Sequence, residues 1–168
     1  MAKLGIRKYG DSVLRKKSET IHKIDREIKD LAGSMFETMY AAFGVGLAAP
    51  QVGTLIRMCV INVDPGRKFP FVMVNPEIIS CEGIVSGKEG CLSLPGVFAD
   101  VERSLNIVAE YTDLDGINKK IKAEGLLARA VQHEIDHLDA KIFIDYLPAW
   151  KRKNVEREIK RKKKKGSW

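Results

Sequence analysis

At 168 residues, with 45% hydrophobic and 30% charged residues, the chain has the size and balance of one globular domain. No stretch approaches the ~20 apolar residues of a membrane-spanning helix, and the first residues carry no apolar signal core, which predicts a soluble, cytoplasmic protein with no membrane partner. Cys59, Cys81 and Cys91 are few and far apart, arguing against a disulfide framework; the +7 charge is concentrated, since residues 151–165 hold ten Lys or Arg against Glu156 and Glu158.

Ile28, Leu31, Ala32, Met35, Phe36, Met39 and Ala42 recur at helical spacing, predicting an amphipathic helix over 25–42 that Gly44 and Gly46 end. Three β-branched and aromatic segments follow, Met58–Val63, Phe69–Ile79 and Leu105–Thr112, and read as strands. Asp115-Gly116 marks a hairpin turn into 119–123, so antiparallel pairing is expected. Leu126–Leu138 reads as a second helix with a buried stripe of Leu127, Val131, Ile135 and Leu138. Pro148 opens a cationic terminal helix in which Val155 and Ile159 are spaced to dock on one face. The pattern predicts an α+β fold, with mixed antiparallel sheets around a central helix and a C-terminal helix. Residues 1–150 are expected to form the main domain, and 151–168 a basic helical extension of it.

Within the second helix stands His133-Glu134-Ile135-Asp136-His137. Residues four apart lie on one helical face, so both imidazoles can meet one metal ion while Glu134 sits beside them as a proton carrier. A third protein ligand must be a carboxylate or a cysteine, because the one further histidine, His22, lies in a polar N-terminal segment and reads as a surface residue. Cys91, between Gly90 and Leu92-Ser93-Leu94-Pro95, lies on backbone expected to be irregular. Two histidines plus a cysteine leave an open position, as in catalytic rather than structural sites.

Three segments, Gly44-Val45-Gly46-Leu47-Ala48-Ala49-Pro50-Gln51, Glu89-Gly90-Cys91-Leu92-Ser93 and Gln132-His133-Glu134-Ile135-Asp136-His137, resemble in this order the three motifs of bacterial peptide deformylases. The resemblance extends to Lys8–Arg15 and to Phe143-Ile144-Asp145. It implies removal of the formyl group from formyl-methionine of nascent polypeptides. It also implies one divalent metal on Cys91, His133 and His137, expected to be Fe²⁺ natively, with Zn²⁺, Ni²⁺ or Co²⁺ in preparations. Attack of a metal-activated water on the formyl carbon is then served by Glu134 as general base and later general acid. The resemblance assigns oxyanion stabilisation to the Gln51 amide and the Leu92 backbone N–H. Gly46 is a candidate for main-chain hydrogen bonds to the peptide.

Arg129 and Ala130 lie one turn before His133 and, with Val45 and Leu126, are candidates for the methionine pocket. The competing reading makes Leu126 ordinary core and Arg129 a surface ion-pair partner. One departure from many family members is Ala140, where glycine commonly follows the second histidine's stretch. Two rival functions remain: a zinc endopeptidase, which would draw its third ligand from a downstream residue, and an RNA-binding protein with a structural zinc completed by Cys59 or Cys81. The basic tail is expected to reach the ribosome surface through phosphates, or else to be a solvated helix, and to be dispensable for small-peptide turnover after about Leu147.

Overall fold

Met58-Cys59-Val60-Ile61 is apolar at every position, and a strand sends successive side chains to opposite faces, so this segment needs cover on both sides. In the structure, a computed structural model describing residues 3–64, 66–166 and 168, it forms a strand buried throughout. The first two residues of the N-terminal segment and Ser167 of the basic extension lie outside that description. Met58 and Val60 join Met35, Met39, Leu47, Val72 and Val74 beneath helix α1 (Arg26–Ala41). Cys59 and Ile61 join Met73, Ala109, Val131, Ile135 and Leu138 beneath helix α2 (Gly125–Leu138).

The strands are β1 (Gly46–Ala48), β2 (Met58–Ile61), β3 (Phe71–Glu82), β4 (Val85–Cys91), β5 (Leu94–Arg103), β6 (Asn106–Thr112) and β7 (Asn118–Glu124). Five form an antiparallel sheet in the order β1-β2-β3-β6-β7, leaving β1 as an edge; β4 and β5 form a separate two-stranded ribbon. At the turn between β6 and β7, Asp113 accepts hydrogen bonds from the backbone N–H groups of Asp115 and Ile117. Sequence periodicity finds neither β1 nor the ribbon. The first is three residues long, and the second alternates charges with Gly87, Gly90 and Gly96, which weaken any strand pattern.

A third apolar cluster closes the C-terminal side. Leu94, Val97 and Val101 of the ribbon pack with Leu14, Phe143, Ile144 and Leu147. Helix α3 (Ala149–Lys164) buries Ile159 in this cluster, and Lys162 and Lys163 donate to the carbonyls of Gly96 and Tyr9 at 2.8 and 2.9 Å. The tail therefore covers apolar surface, and removing everything after Leu147 would uncover it. No described helix is long and apolar enough to cross a membrane.

Helix α2 ends in a Schellman motif: Lys141 N donates to Asp136 O at 2.8 Å, and Ala140 N to His137 O at 3.2 Å. Ala140 occupies the left-handed position with φ 63°, where a Cβ crowds the backbone and glycine is the relaxed choice. We predict that Ala140→Gly raises the unfolding free energy by roughly 0.5–1 kcal/mol, measured by urea denaturation.

Candidate metal centre and catalytic cleft

Two elements from opposite ends of the topology make the centre. Helix α2 is covered by the sheet on one side and by the ribbon on the other, so His133, Glu134 and His137 are all buried. Cys91 ends β4, where the pairing with β5 shifts register between Gly90 and Cys91 and turns the chain toward the helix. Its Sγ lies 3.2 Å from His137 Nε2, and one ligand atom from each of Cys91, His133 and His137 falls within 4.8 Å of the others. The imidazole rings stand 5.0 Å apart between centroids, inclined by 75°.

The electrostatics suit a cation. Burial pushes the Cys91 thiol up, but the charges of His137 and His133 and their hydrogen bonds outweigh it and bring the thiol well below its ordinary value. A thiolate with two imidazoles is a donor set for a borderline-soft divalent ion. Burial likewise raises the Glu134 carboxyl to about 7, against the pull of the two imidazoles. Its Oε2 is buried without a hydrogen-bond partner among the described residues. Gly46 makes room for it, since a Cβ there would collide with the Glu134 carboxylate.

The short 3-10 helix that follows β1, Ala49–Val52, supplies Gln51. Its Oε1 accepts from Ala48 N at 2.8 Å, which directs Nε2 toward Ser93 Oγ at 3.2 Å and Cys91 Sγ at 3.4 Å. Leu92 lies beside it, its carbonyl held by Lys8 Nζ at 3.0 Å. These residues open into a cavity of about 520 Å³ that Val45, Gly46, Leu126, Arg129 and Ala130 also line. Leu126 is exposed rather than core. The Arg129 guanidinium is tied to Glu89 Oε1 at 2.8 Å and to the carbonyls of Val101 and Val85 at 2.9 and 3.0 Å, which leaves its stem to the cavity wall and its head fastening the ribbon to α2. His22 is exposed and remote from the centre.

Sequence reasoning gave no role to the group behind the two histidines. Glu89 Oε2 meets His133 Nδ1 at 3.0 Å, which aims the opposite ring nitrogen at the centre. Arg103 donates to both Glu89 oxygens at 2.7 and 3.0 Å and to Asp136 at 2.6 Å; Tyr146 donates to the other Asp136 oxygen at 2.8 Å. Burial would raise the Glu89 carboxyl, but His133 and Arg103 hold it down at about 2. The available signal was Glu89 inside the cysteine motif, because a buried ligand histidine needs a partner for its second nitrogen.

A family model for polypeptide deformylase matches residues 3–153. A peptide deformylase of Endomicrobium trichonymphae is 62% identical over 168 residues, covering all of both chains. A crystal structure of the Legionella pneumophila peptide deformylase superposes with a TM-score of 0.94 at 40% identity, covering 99% of this chain and 98% of that one. One from Ehrlichia chaffeensis, in complex with actinonin, gives 0.91 at 41% identity over 96% and 98% of the two chains.

We predict that Glu89→Gln lowers divalent-metal affinity about 10- to 100-fold, measured by competition with a chelator on protein whose folding is checked by circular dichroism. The fold, the motifs and these likenesses agree, and the chain belongs to the polypeptide deformylase family.

Proposed function

We propose that the 520 Å³ cleft is where this chain removes the formyl group from formyl-methionyl peptides, with Cys91, His133 and His137 as the metal ligands and Glu134 as the proton carrier. The observation that carries the assignment is the convergence of a thiol from a strand and two imidazoles from a helix beside a buried carboxylate with an unpartnered oxygen. When bound there, a divalent ion supplies Lewis acidity to the attacking water and the formyl oxygen. Glu134 takes a proton from the water and delivers it to the departing amine, leaving formate and a free methionyl N-terminus. Gln51 Nε2 and the Leu92 N–H donate to the oxyanion that develops on the formyl group. The edge strand β1 offers Gly46 for main-chain pairing with an extended peptide, whose methionine side chain enters between Val45, Leu126 and Ala130.

The endopeptidase alternative is disfavoured by the source of the third ligand, a cysteine on a strand rather than a residue downstream of the helix. Replacing Glu134 by Gln is expected to lower kcat for formate release about 10²- to 10⁴-fold with metal content preserved. Full activity in that variant, or internal cleavage of the peptide, would refute the assignment.

For the metal, we infer Fe²⁺ natively, as the family resemblance implies, with Zn²⁺, Ni²⁺ or Co²⁺ able to occupy the same ligands. A ferrous ion on a thiolate is oxidisable, so activity that disappears in air and survives anaerobically supports iron. A cytoplasmic site of action agrees with a nascent-chain substrate. Residues 151–168 are an extension of the domain formed by 1–150, because α3 packs on its apolar surface. The outer face of α3 displays Lys153, Arg157, Lys160 and Lys164, spaced by three and four, and suits phosphates of the ribosome surface. Since truncation would also remove the packing of Ile159, the informative variant replaces these four residues by Gln. Its salt-dependent binding to ribosomes should flatten, by about 1 in the log–log slope for each phosphate no longer neutralised, while release of formate from small peptides persists.

A further inference from the structure

Helix α1, like α2, ends in a Schellman motif: Gly44 N donates to Met39 O at 2.9 Å, and Phe43 N to Tyr40 O at 3.1 Å. The left-handed position is filled by Phe43, with φ 56°. A left-handed backbone disfavours any residue with a Cβ, and glycine is the usual occupant. The side chain returns nothing to the fold, being 92% exposed. A large apolar group held outward, in a conformation it disfavours, requires a reason outside folding.

Its position supplies one. Phe43 lines the same cleft that holds Cys91, His133 and Glu134. Across the ribbon, Phe98 is a second wall of that cleft, 62% exposed, with its ring laid over Gly90, where a Cβ would come within 2.6 Å of Cε1. Gly90 thus allows an aromatic ring to lie beside the cysteine strand. The reacting end of the cleft is fixed by the metal ligands, and the methionine pocket by Val45, Leu126 and Ala130. A peptide longer than methionine must therefore leave past the remaining apolar walls. The carboxylates that line the cleft, Glu89 and Glu134, are buried, and its other charged side chains include the cations Lys8, Lys88 and Arg129, which do not favour a cationic residue there.

We propose that Phe43 and Phe98 form an aromatic exit rim that makes this deformylase select for large apolar residues at one or both of the first two positions after the formyl-methionine. The inference rests on the deformylase reading of the cleft and adds what the enzyme prefers beyond methionine. An aromatic side chain leaving water for contact with one of these rings gains enough to shift affinity, whereas alanine gains little.

The test compares formyl-Met-Phe-Ala and formyl-Met-Ala-Phe with formyl-Met-Ala-Ala and formyl-Met-Lys-Ala, using metal-loaded enzyme and formate release. At least one phenylalanine peptide should exceed the alanine peptide by about fivefold in kcat/KM, mainly through KM, with the lysine peptide lowest. Phe43→Gly and Phe98→Ala should each move the phenylalanine-to-alanine ratio toward one. Phe43→Gly should do so without lowering the melting temperature, which a structural role for Phe43 would not permit. Equal kcat/KM at both positions in the wild-type enzyme, or an unchanged ratio in both variants, overturns the rim while leaving deformylation intact. A dimer in sedimentation that Phe43→Gly abolishes would also overturn it, assigning the surface to a second copy of the chain. Absence of formate from every peptide would instead bring down the deformylase reading of the cleft, and the rim with it.

Discussion

Arg103 holds the two halves of the reactive centre in one piece. Its guanidinium is buried and spans from Glu89 on β4 to Asp136 on α2, so the strand that ends in Cys91 and the helix that carries His133 and His137 are joined through one planar group. The ribbon's own apolar packing goes mainly to the C-terminal cluster, so its tie to α2 depends on these polar groups. A buried network of this kind is a poor stabiliser by itself, because taking charges out of water offsets most of their attraction. Removing one member, however, leaves the others buried and unpaired at about 3–5 kcal/mol, which makes the arrangement all-or-none. Such a network is better understood as a device for holding geometry than as a source of stability, and the geometry it holds is the distance between a thiol and two imidazoles.

Part of that centre was legible in the sequence because helical spacing is local. His133 and His137 announce themselves by being four apart, and Glu134 by lying next to one of them. Cys91 needed the exclusion of other donors together with the family's motif pattern, since nothing about its neighbours fixes a distance to residues so far along the chain. The supporting residues were out of reach for the same reason. Glu89 and His133 are 44 apart in sequence, Arg103 and Asp136 are 33 apart, and no periodicity encodes such pairings. Elements followed the same rule: α1, α2 and the apolar strands β2, β3 and β6 declare their period, while the ribbon, rich in glycine and charge, becomes a ribbon only once the C-terminal cluster covers it.

Glycine use near the centre shows how backbone and chemistry are matched. At Gly46 the limit is set by a neighbour: the Glu134 carboxylate occupies the space a side chain would need, so the edge strand and this carboxylate come together only where residue 46 has no side chain. The same substitution that would strengthen a strand elsewhere would here displace the Glu134 carboxylate. At Gly90 the occupant is the Phe98 ring, so a side chain there would push an aromatic wall off the cleft. Both glycines are therefore fixed by what lies against them and not by their own dihedral angles, since neither adopts a positive φ.

The reverse case separates Phe43 from Ala140. Both fill the left-handed position of a Schellman motif, and both carry a Cβ that this conformation disfavours. For Ala140 the side chain is one methyl, partly exposed, and nothing in the structure explains it beyond tolerance of a small penalty. For Phe43 the same backbone penalty comes with a large apolar surface facing water, a second unfavourable feature that tolerance alone does not account for. Two helix ends with the same hydrogen bonds thus differ in what stands beyond them. The helix end at Ala140 follows the ligand helix away from the cleft, while Phe43 leads directly into Gly44-Val45-Gly46 and the cleft wall. A penalty that falls at the mouth of a reactive cavity, and on the side chain best suited to meet an apolar peptide, is the pattern expected when substrate contact rather than stability has determined the residue.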